Sequence, residues 1–182
     1  LEGRVVLDVR MQPEAVALFC TRARVTPDGT VEQLCRALDN LPLALELAAA
    51  RASVLSPRQI LERLSQRLDL LRGGRDADPR QLTLRATIAW SYELLTPEER
   101  RLFARLAVFR GGSTFEAAES VADADLDTLQ SLVDKSLLRH TDDRFRMLET
   151  IRDYAAERLE ASGEEGTIRD RHLGHFLALA EE

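Results

Sequence analysis

Apolar residues recur along most of the chain with the spacing of an amphipathic helix. In the segment 41–55, leucine and alanine repeat at intervals of three and four residues on more than one side, which predicts a central, buried helix. Further stripes with helical spacing predict additional helices, and they begin at Leu84, Leu102, Leu126, Ile151 and Leu173.

Capping signals mark where the helices begin and end. Ser56–Gln59 and Thr96–Glu99 both have the pattern of a capping box, with proline at the first helical position. Pro13, Asp28 and Asp125 predict three further helix starts. Helix ends are predicted at glycines, which adopt a left-handed C-cap at little cost: Gly73–Gly74, Gly111–Gly112 and Gly163.

One segment breaks the helical period. Residues 137–141 and 144–148 flank Asp142-Asp143, and within the second of these runs Phe145 and Met147 alternate with arginines. This alternation around two turn-forming residues predicts a short β-hairpin. Three helices followed by a hairpin is the order of elements in a winged helix, with the hairpin as the wing.

The polar segment 73–79 divides the predicted elements into domains. We expect a mainly α fold, with a helical bundle domain at 1–74 and a winged-helix domain with a short β-hairpin at 79–148. The helices at 149–182 form a C-terminal region consistent with the start of a helical repeat array. No repeat period is visible in so short a tail.

Composition supports helices and argues against nucleic acid as a partner. Leucine and alanine supply most of the apolar residues of the 182-residue chain, and only 5% of residues are aromatic. The net charge of −6 does not attract a phosphate backbone. The predicted recognition helix, 125–138, carries three aspartates against Lys135 and has no arginine. We therefore expect the winged helix to pack against protein and to make no direct DNA contact.

The two cysteines and the hydropathy indicate a cytoplasmic protein. Cys20 and Cys35 form no CxxC pair and follow no secretory leader, as is typical of reduced residues in a cytosolic protein. No apolar run approaches the roughly 18–20 residues that a membrane span requires. We expect no membrane contact.

No catalytic residue is predicted. The sequence has no GxxxxGK[ST] phosphate loop, no GxGxxG and no HExxH, and no serine, histidine and aspartate form a persuasive set. His172 and His175 lie three residues apart on a predicted helix and are the pair most suited to a metal ion. A tetrahedral site needs more ligands than the nearby sequence offers. Histidines at the surface or in packing contacts are therefore the favoured interpretation.

A short acidic run resembles the start of a calcium loop without completing it. Asp123, Asp125 and Asp127 have the required spacing. The loop needs glycine at its sixth position and glutamate at its twelfth, where this chain has Thr128 and Asp134. A solvated helix start is the favoured interpretation, and no metal site is expected.

Three segments carry a resemblance to a known family. The segment Leu38–Ala48 resembles the GLPLA motif of the NB-ARC, or STAND, family of regulatory nucleotide-switch ATPases, with Asn40 in place of glycine. The segment 144–155 resembles the one that carries the family's MHD motif, and Thr83–Leu95 is similar to a stretch common in bacterial members. Many of those are transcriptional regulators. The resemblance covers essentially the whole chain and runs in family order.

The resemblance implies a site for ADP or ATP. In the family, ADP lies between a P-loop domain and the helical and winged-helix domains, and exchange for ATP opens the protein. By this resemblance Leu41 and Pro42 match the contacts on the adenine side. At the second motif Leu148 stands where the family has a histidine and cannot bond to phosphate, whereas Glu149 keeps the acidic position. From the residues alone, the favoured interpretation of Pro42 is a first-turn helix proline and that of Leu148 is an ordinary wing residue; the resemblance reverses the preference for Pro42 only.

We therefore expect the regulatory part of a nucleotide-dependent STAND switch in bacterial transcription. The P-loop precedes the GLPLA helix in the family, so the chain is expected to begin after it and to have no enzyme activity alone. The full-length parent would be an ATPase that binds ADP or ATP. Expected partners are its own upstream nucleotide-binding domain, downstream sensor repeats and other proteins. The alternatives are an adaptor that binds no nucleotide and a DNA-binding winged helix.

Overall fold

The computed structural model describes residues 5–71 and 78–181, with side chains from 13 to 66 and from 78 to 181. The chain forms two compact units, Leu1–Glu93 and Leu94–Glu182. Their boundary falls after residue 93, whereas the sequence pattern placed a boundary in the polar segment 73–79, of which residues 73–77 lie outside the described part. None of the described helices is long and apolar enough to cross a membrane.

The first unit is a bundle of five α-helices in its described part. They are α1 (Val5–Ala23), α2 (Gly29–Ala37), α3 (Pro42–Ala49), α4 (Pro57–Leu71) and α5 (Pro79–Glu93). A short 3₁₀ helix, Ala50–Ser53, follows α3 directly. The α3 helix packs against both α1 and α5, and its leucines and alanines join Phe19, Leu34 and Trp90 in one buried core. The predicted central helix is thus confirmed, although its α-helical part ends at Ala49.

The second unit begins with a winged helix. Its helices are α6 (Pro97–Arg105), α7 (Phe115–Ala122), α8 (Leu126–Asp134), α9 (Glu149–Ser162) and α10 (Glu165–Ala180). A 3₁₀ helix, Leu106–Val108, continues α6. The strands β1 (Arg139–Thr141) and β2 (Arg144–Arg146) lie between α8 and α9 and pair antiparallel. The mainly helical fold and the winged helix are therefore confirmed, with α6, α7 and α8 as its three helices.

Most of the predicted capping signals are confirmed. Asp28 accepts a hydrogen bond from the amide of Val31 at 2.8 Å, and Asp125 caps α8 in the same way. The capping box of Thr96 and Glu99 is complete. Gly163 ends α9 with a left-handed φ of 75°.

Two of the boundary predictions need correction. Pro13 lies inside α1 and does not begin it. A proline inside a helix removes one hydrogen bond and its ring crowds the carbonyl four residues earlier, so the position of Pro13 within α1 carries a local cost. The helical segment after α6 ends at Val108, before Gly111, and Gly112 instead contacts the wing. Gly73–Gly74 lies outside the described residues.

Candidate functional site

The helix in the recognition position, α8, presents an acidic surface. Asp125, Asp127, Gln130 and Asp134 are all exposed, and Gln130 donates a hydrogen bond to Asp134 at 2.8 Å. Hydrogen bonds from the side chain and the amide of Thr128 hold the pKa of the Asp125 carboxyl below its usual range. The Asp125 carboxyl is therefore ionised near neutral pH, and its charge repels phosphate.

Leu126 adds an apolar group to the same surface. It was predicted to belong to the buried stripe of this helix, but 60% of its area is exposed. Leu126 is the first residue of α8, and burial begins one turn later, at Leu129. An exposed leucine among carboxylates suits a protein contact better than a contact with a charged groove.

Lys135, the residue that follows α8, forms an ion pair with Glu99 within the second unit. Its Nζ donates to Glu99, and Ser131 Oγ donates to the same carboxylate oxygen at 2.6 Å. Glu99 is 6% exposed. Burial raises the pKa of Glu99, but the hydrogen bonds from Lys135, Ser131 and Thr96 outweigh it and the pKa lies below its usual range. Lys135 thus compensates a buried charge.

The wing is the basic part of the winged helix. Its register pairs Arg139 with Arg146 and Thr141 with Arg144, and cross-strand partners share one face of a hairpin. Arg139 and Arg146 are exposed, while Arg144 donates to the carbonyl of Gly112 at 2.7 Å. The turn residues, Asp142-Asp143, both have a left-handed φ, as a two-residue hairpin turn requires.

A third strand-like segment fixes the position of the wing. Ser113 and Phe145 exchange two backbone hydrogen bonds, of 2.9 and 2.8 Å. Gly112 has a φ of +79°, and a Cβ there would lie 2.6 Å from the carbonyl oxygen of Phe145. The close approach of the backbones therefore requires glycine at this position.

The structure places Leu41 and Pro42 at the start of α3. Leu41 is the N-cap residue and is half-buried, and Pro42 occupies the first helical position and is exposed. The two residues before them, Asp39 and Asn40, both have left-handed backbones, with φ of 52° and 53°. Asp39 accepts a hydrogen bond from Thr83 Oγ1 at 2.6 Å, which ties this turn to α5.

Leu148 and Glu149 lie at the junction of the wing with α9. Leu148 is the N-cap residue of α9, is half-buried and makes no side-chain cap hydrogen bond. The Glu149 side chain is 85% exposed and lies 3.9 Å from Arg152. Leu41 and Pro42 belong to the first unit, and this second pair belongs to the second.

Two of the three aspartates of the calcium-like run, Asp123 and Asp125, have structural roles. Asp123 ends α7 and accepts hydrogen bonds from Arg105 and Arg171, whereas Asp125 caps α8. Each of the two carboxylates already contacts groups of the protein. The sequence pattern did not reveal the ion-pair network of Arg105, whose partners are 18 and 59 residues away.

His172 takes part in aromatic packing. Its ring lies 5.1 Å from the ring of Phe109 and 4.7 Å from that of Phe176. Burial, followed by the nearby His175, lowers the pKa of His172. Among the described residues, no group of three His, Cys, Asp or Glu side chains is placed to hold a metal ion.

Comparisons with known proteins agree with the winged-helix fold. Residues 95–160 match the family described as "Winged helix-turn-helix domain". This range extends from the start of α6 through most of α9. No solved structure shows significant similarity to the chain.

Several bacterial proteins are similar to nearly the whole chain. "Putative HTH-type transcriptional regulator Rv0890c" of Mycobacterium tuberculosis is 46% identical over 188 residues, covering 92% of this chain and 21% of that protein. "Uncharacterized protein Rv0894" of the same species is 40% identical over 186 residues, covering 90% of this chain and 47% of that protein. "Regulatory protein AfsR" of Streptomyces griseus is 30% identical over 192 residues, covering 95% of this chain and 19% of that protein. The chain thus spans between about a fifth and about half of these relatives. It contains a winged helix-turn-helix domain and is related to proteins of transcriptional regulation.

Proposed function

We propose that this chain is the regulatory part of a nucleotide-dependent STAND switch in a bacterial transcriptional regulator. In this proposal its winged helix makes protein contacts and does not read DNA. The first unit covers the adenine side of ADP in the full-length protein, and nucleotide exchange releases the winged helix. The chain itself carries no ATPase chemistry, and its partners are the nucleotide-binding and sensor parts of the same protein.

The surface of α8 is the observation that carries the proposal. Asp125, Asp127 and Asp134 are exposed on it, and Lys135 is bound to Glu99. A helix that enters the major groove needs arginine, lysine, asparagine or glutamine at base edges and phosphates. Of these, α8 itself offers only Gln130, which is bonded to Asp134. A protein surface with basic and apolar groups complements α8 far better.

The turn before α3 supports the nucleotide part of the proposal. Pro42 is exposed although it begins a mostly buried helix, so its ring is accessible to a ligand or another domain. An exposed proline ring is a suitable apolar surface for a flat base. Leu148 has no hydrogen-bonding group, so we assign it to holding the wing on α9 rather than to phosphate sensing.

The nucleotide part is tested on the natural gene product, including any residues that precede Leu1. The purified protein is denatured, and the released nucleotide is identified by chromatography. We expect stoichiometric ADP, and Pro42→Ala is expected to lower the retained fraction. Pro57→Ala is the matched control, since Pro57 also begins a helix but lies outside the GLPLA-like segment. A folded protein that contains no nucleotide and takes up no added ADP would favour the adaptor function.

The wing favours a second function, contact with DNA phosphates. Arg139 and Arg146 face each other across the hairpin and are both exposed, so their two positive charges can attract a phosphate together. Fluorescence anisotropy with duplex DNA at low salt tests it. Our proposal predicts no DNA binding through the wing, so the double variant Arg139→Ala, Arg146→Ala should bind as the unsubstituted chain does. The control is Arg63→Ala, which removes an exposed arginine of the first unit. A loss of binding in the double variant but not in the control, together with a steep salt dependence, would establish DNA contact through the wing.

A further inference from the structure

The second unit contains an open cavity at the turn that follows the 3₁₀ helix Leu106–Val108. Its volume is about 460 Å³, within the range of roughly 300–1,000 Å³ typical of small-molecule sites. Three separate parts of the unit meet there. The lining residues are 108–112 from the turn, Arg144 from β2, and His172 and Phe176 from α10.

Two arginines of this cavity are available to an anion. Arg144 donates a hydrogen bond to the carbonyl of Gly112 at 2.7 Å, which holds its guanidinium at the turn and leaves its other N–H groups for a ligand. Arg110 lies two residues before Gly112 on the same turn and is exposed. Within the described part of the chain, neither arginine forms an ion pair with a carboxylate.

The described wall of the cavity carries no negative charge. Acidic residues outnumber basic ones in the second unit, so a wall with two arginines and no acid differs from the unit as a whole. A neighbouring cavity shares Arg110 and His172, but it is also lined by Glu165, which lies 2.6 Å from Arg169. Arginine binds carboxylates through parallel N–H···O bonds. The charge of the first cavity therefore favours an organic anion.

An aromatic wall adjoins the two arginines. The ring of His172 lies 5.1 Å from that of Phe109 and 4.7 Å from that of Phe176. Burial, followed by the nearby His175, lowers the pKa of His172, so its ring is neutral near pH 7 and serves as a packing surface. Phe176 is 42% exposed, and its ring offers area that a ligand can cover. Stacked or tilted aromatic contacts favour a ligand with a flat apolar body.

We propose that this cavity binds a small organic carboxylate with a flat apolar body. The carboxylate accepts hydrogen bonds from Arg110 and Arg144, and the apolar body lies against His172 and Phe176. The site is separate from the proposed nucleotide contacts, because none of the residues assigned to nucleotide lines this cavity.

The test is calorimetric titration of the 182-residue chain with indole-3-acetate, in the absence of nucleotide. Indole-3-acetamide, which has the same ring and no charge, and inorganic phosphate, which has charge and no ring, are the controls. We expect saturable binding of indole-3-acetate and about tenfold weaker binding of either control. No binding of indole-3-acetate, or equal affinity for either control, would overturn the proposal. Displacement of indole-3-acetate by ADP would assign the cavity to nucleotide and would also overturn it.

The histidines show where the ligand binds. The chain has three, of which His172 lines the cavity, whereas His140 stacks on Phe145 in the wing and does not line it. In proton NMR spectra we expect the ring signals of His172 to shift on titration with indole-3-acetate and those of His140 to stay in place. A shift at His140 without one at His172 would contradict the assigned site.

Substitution of Arg110 tests the anion contact without disturbing the fold, because its side chain is exposed and bonds to no described residue. Arg110→Ala is expected to weaken indole-3-acetate binding about tenfold, and Arg110→Lys, which keeps the charge, is expected to retain most of the affinity. The matched control is Arg146→Ala, which removes an exposed arginine of the wing that does not line the cavity. Equal losses for Arg110→Ala and Arg146→Ala would reveal unspecific charge attraction and overturn the proposal.

Discussion

Arg105 and Glu164 form a two-fold hydrogen-bonded ion pair that joins the end of α6 to the start of α10. Arg105 Nε lies 3.0 Å from Glu164 Oε2, and its terminal nitrogen lies 2.8 Å from Oε1. The same guanidinium donates to Asp123 and to the carbonyl of Ala122 at the end of α7. Arg171 of α10 also contacts Asp123, at 2.8 Å. One arginine therefore fixes three helices of the second unit.

Removing this arginine is expected to destabilise the second unit markedly. Only 12% of the Arg105 side chain is exposed, but Glu164 is about a third exposed and partly screened by water. We expect Arg105→Ala to lower the free energy of unfolding by about 1–3 kcal/mol, because it leaves the Glu164 carboxylate without its partner and removes one of the two arginines that bind Asp123. Denaturant unfolding followed by circular dichroism measures the change.

The control for this experiment is an exposed pair on α10. Arg169 lies 2.6 Å from Glu165 with 71% of its side chain exposed, so Arg169→Ala is expected to cost about 0.5 kcal/mol or less. Equal losses for the two variants would contradict the role assigned to Arg105.

The same network makes the second unit sensitive to acid. The hydrogen bond and charge of Arg105 lower the pKa of Glu164 below its usual 4.5, and Arg171 and Arg105 lower that of Asp123 below 3.8. A carboxyl whose pKa is lower in the folded state stabilises the fold above its unfolded pKa, and this stability is lost as pH falls through the folded pKa. We expect the urea midpoint to fall steadily below about pH 4.5.

Glu164→Gln distinguishes this network from general acid denaturation. The amide does not titrate, so the variant is expected to be less stable at pH 7 and to lose less stability on acidification. A variant with the same pH profile as the natural chain would show that other carboxylates dominate the response.

Two glycines with left-handed backbones should respond differently to alanine. Gly112 has a φ of +79°, and its Cβ would lie 2.5 Å from Arg146 Cγ and 2.6 Å from the Phe145 carbonyl oxygen. Gly163 has a φ of +75°, and its Cβ would contact nothing within 4 Å. We expect Gly163→Ala to cost about 1 kcal/mol through backbone strain, and Gly112→Ala to cost about 3 kcal/mol or more because the wing must shift. Thermal unfolding of the two variants measures the difference, and similar losses would show that the wing is loosely held.

The two leucines of α8 provide a test of its exposed surface. Leu129 is fully buried and Leu126 is 60% exposed. Leu129→Ala is expected to cost about 2–5 kcal/mol, whereas Leu126→Ala should change stability by about 0.5 kcal/mol or less. If Leu126→Ala also leaves folding intact while weakening a partner complex, Leu126 belongs to the contact surface. A large loss of stability would instead place Leu126 in the core.

Local signals predicted much of the fold. The hairpin follows from the alternation around Asp142-Asp143, and the capping residues Asp28, Thr96 and Asp125 mark helices because their hydrogen bonds reach only three residues. The helix α7 was missed, since its buried positions are mostly alanines and give a weak apolar stripe. The helical spacing of apolar residues also does not show whether the apolar face of a helix is buried against another element. Leu173 and Leu177 of α10 have helical spacing but are 59% and 55% exposed.

The candidate sites were harder to predict because they depend on distant residues. The sequence of α8 predicted its acidic character. The ion pair of Lys135 with Glu99 joins residues 36 positions apart, so no local pattern could predict it. The turn before α3 likewise depends on the hydrogen bond of Asp39 with Thr83, which joins residues 44 positions apart. Pro42 and Leu148 were proposed through family resemblance, and their roles remain proposals.

The bond between Lys135 and Glu99 also determines how the chain reacts with amine-directed reagents. Lysine occurs once in the 182 residues, so the sequence offers one ε-amino group to an acylating label or cross-linker. That group lies against a buried carboxylate, and 23% of its side chain is exposed. Acylation at Lys135 therefore requires this contact to open. The rate of its labelling then reports local opening of the winged helix in the 182-residue chain, without any substitution.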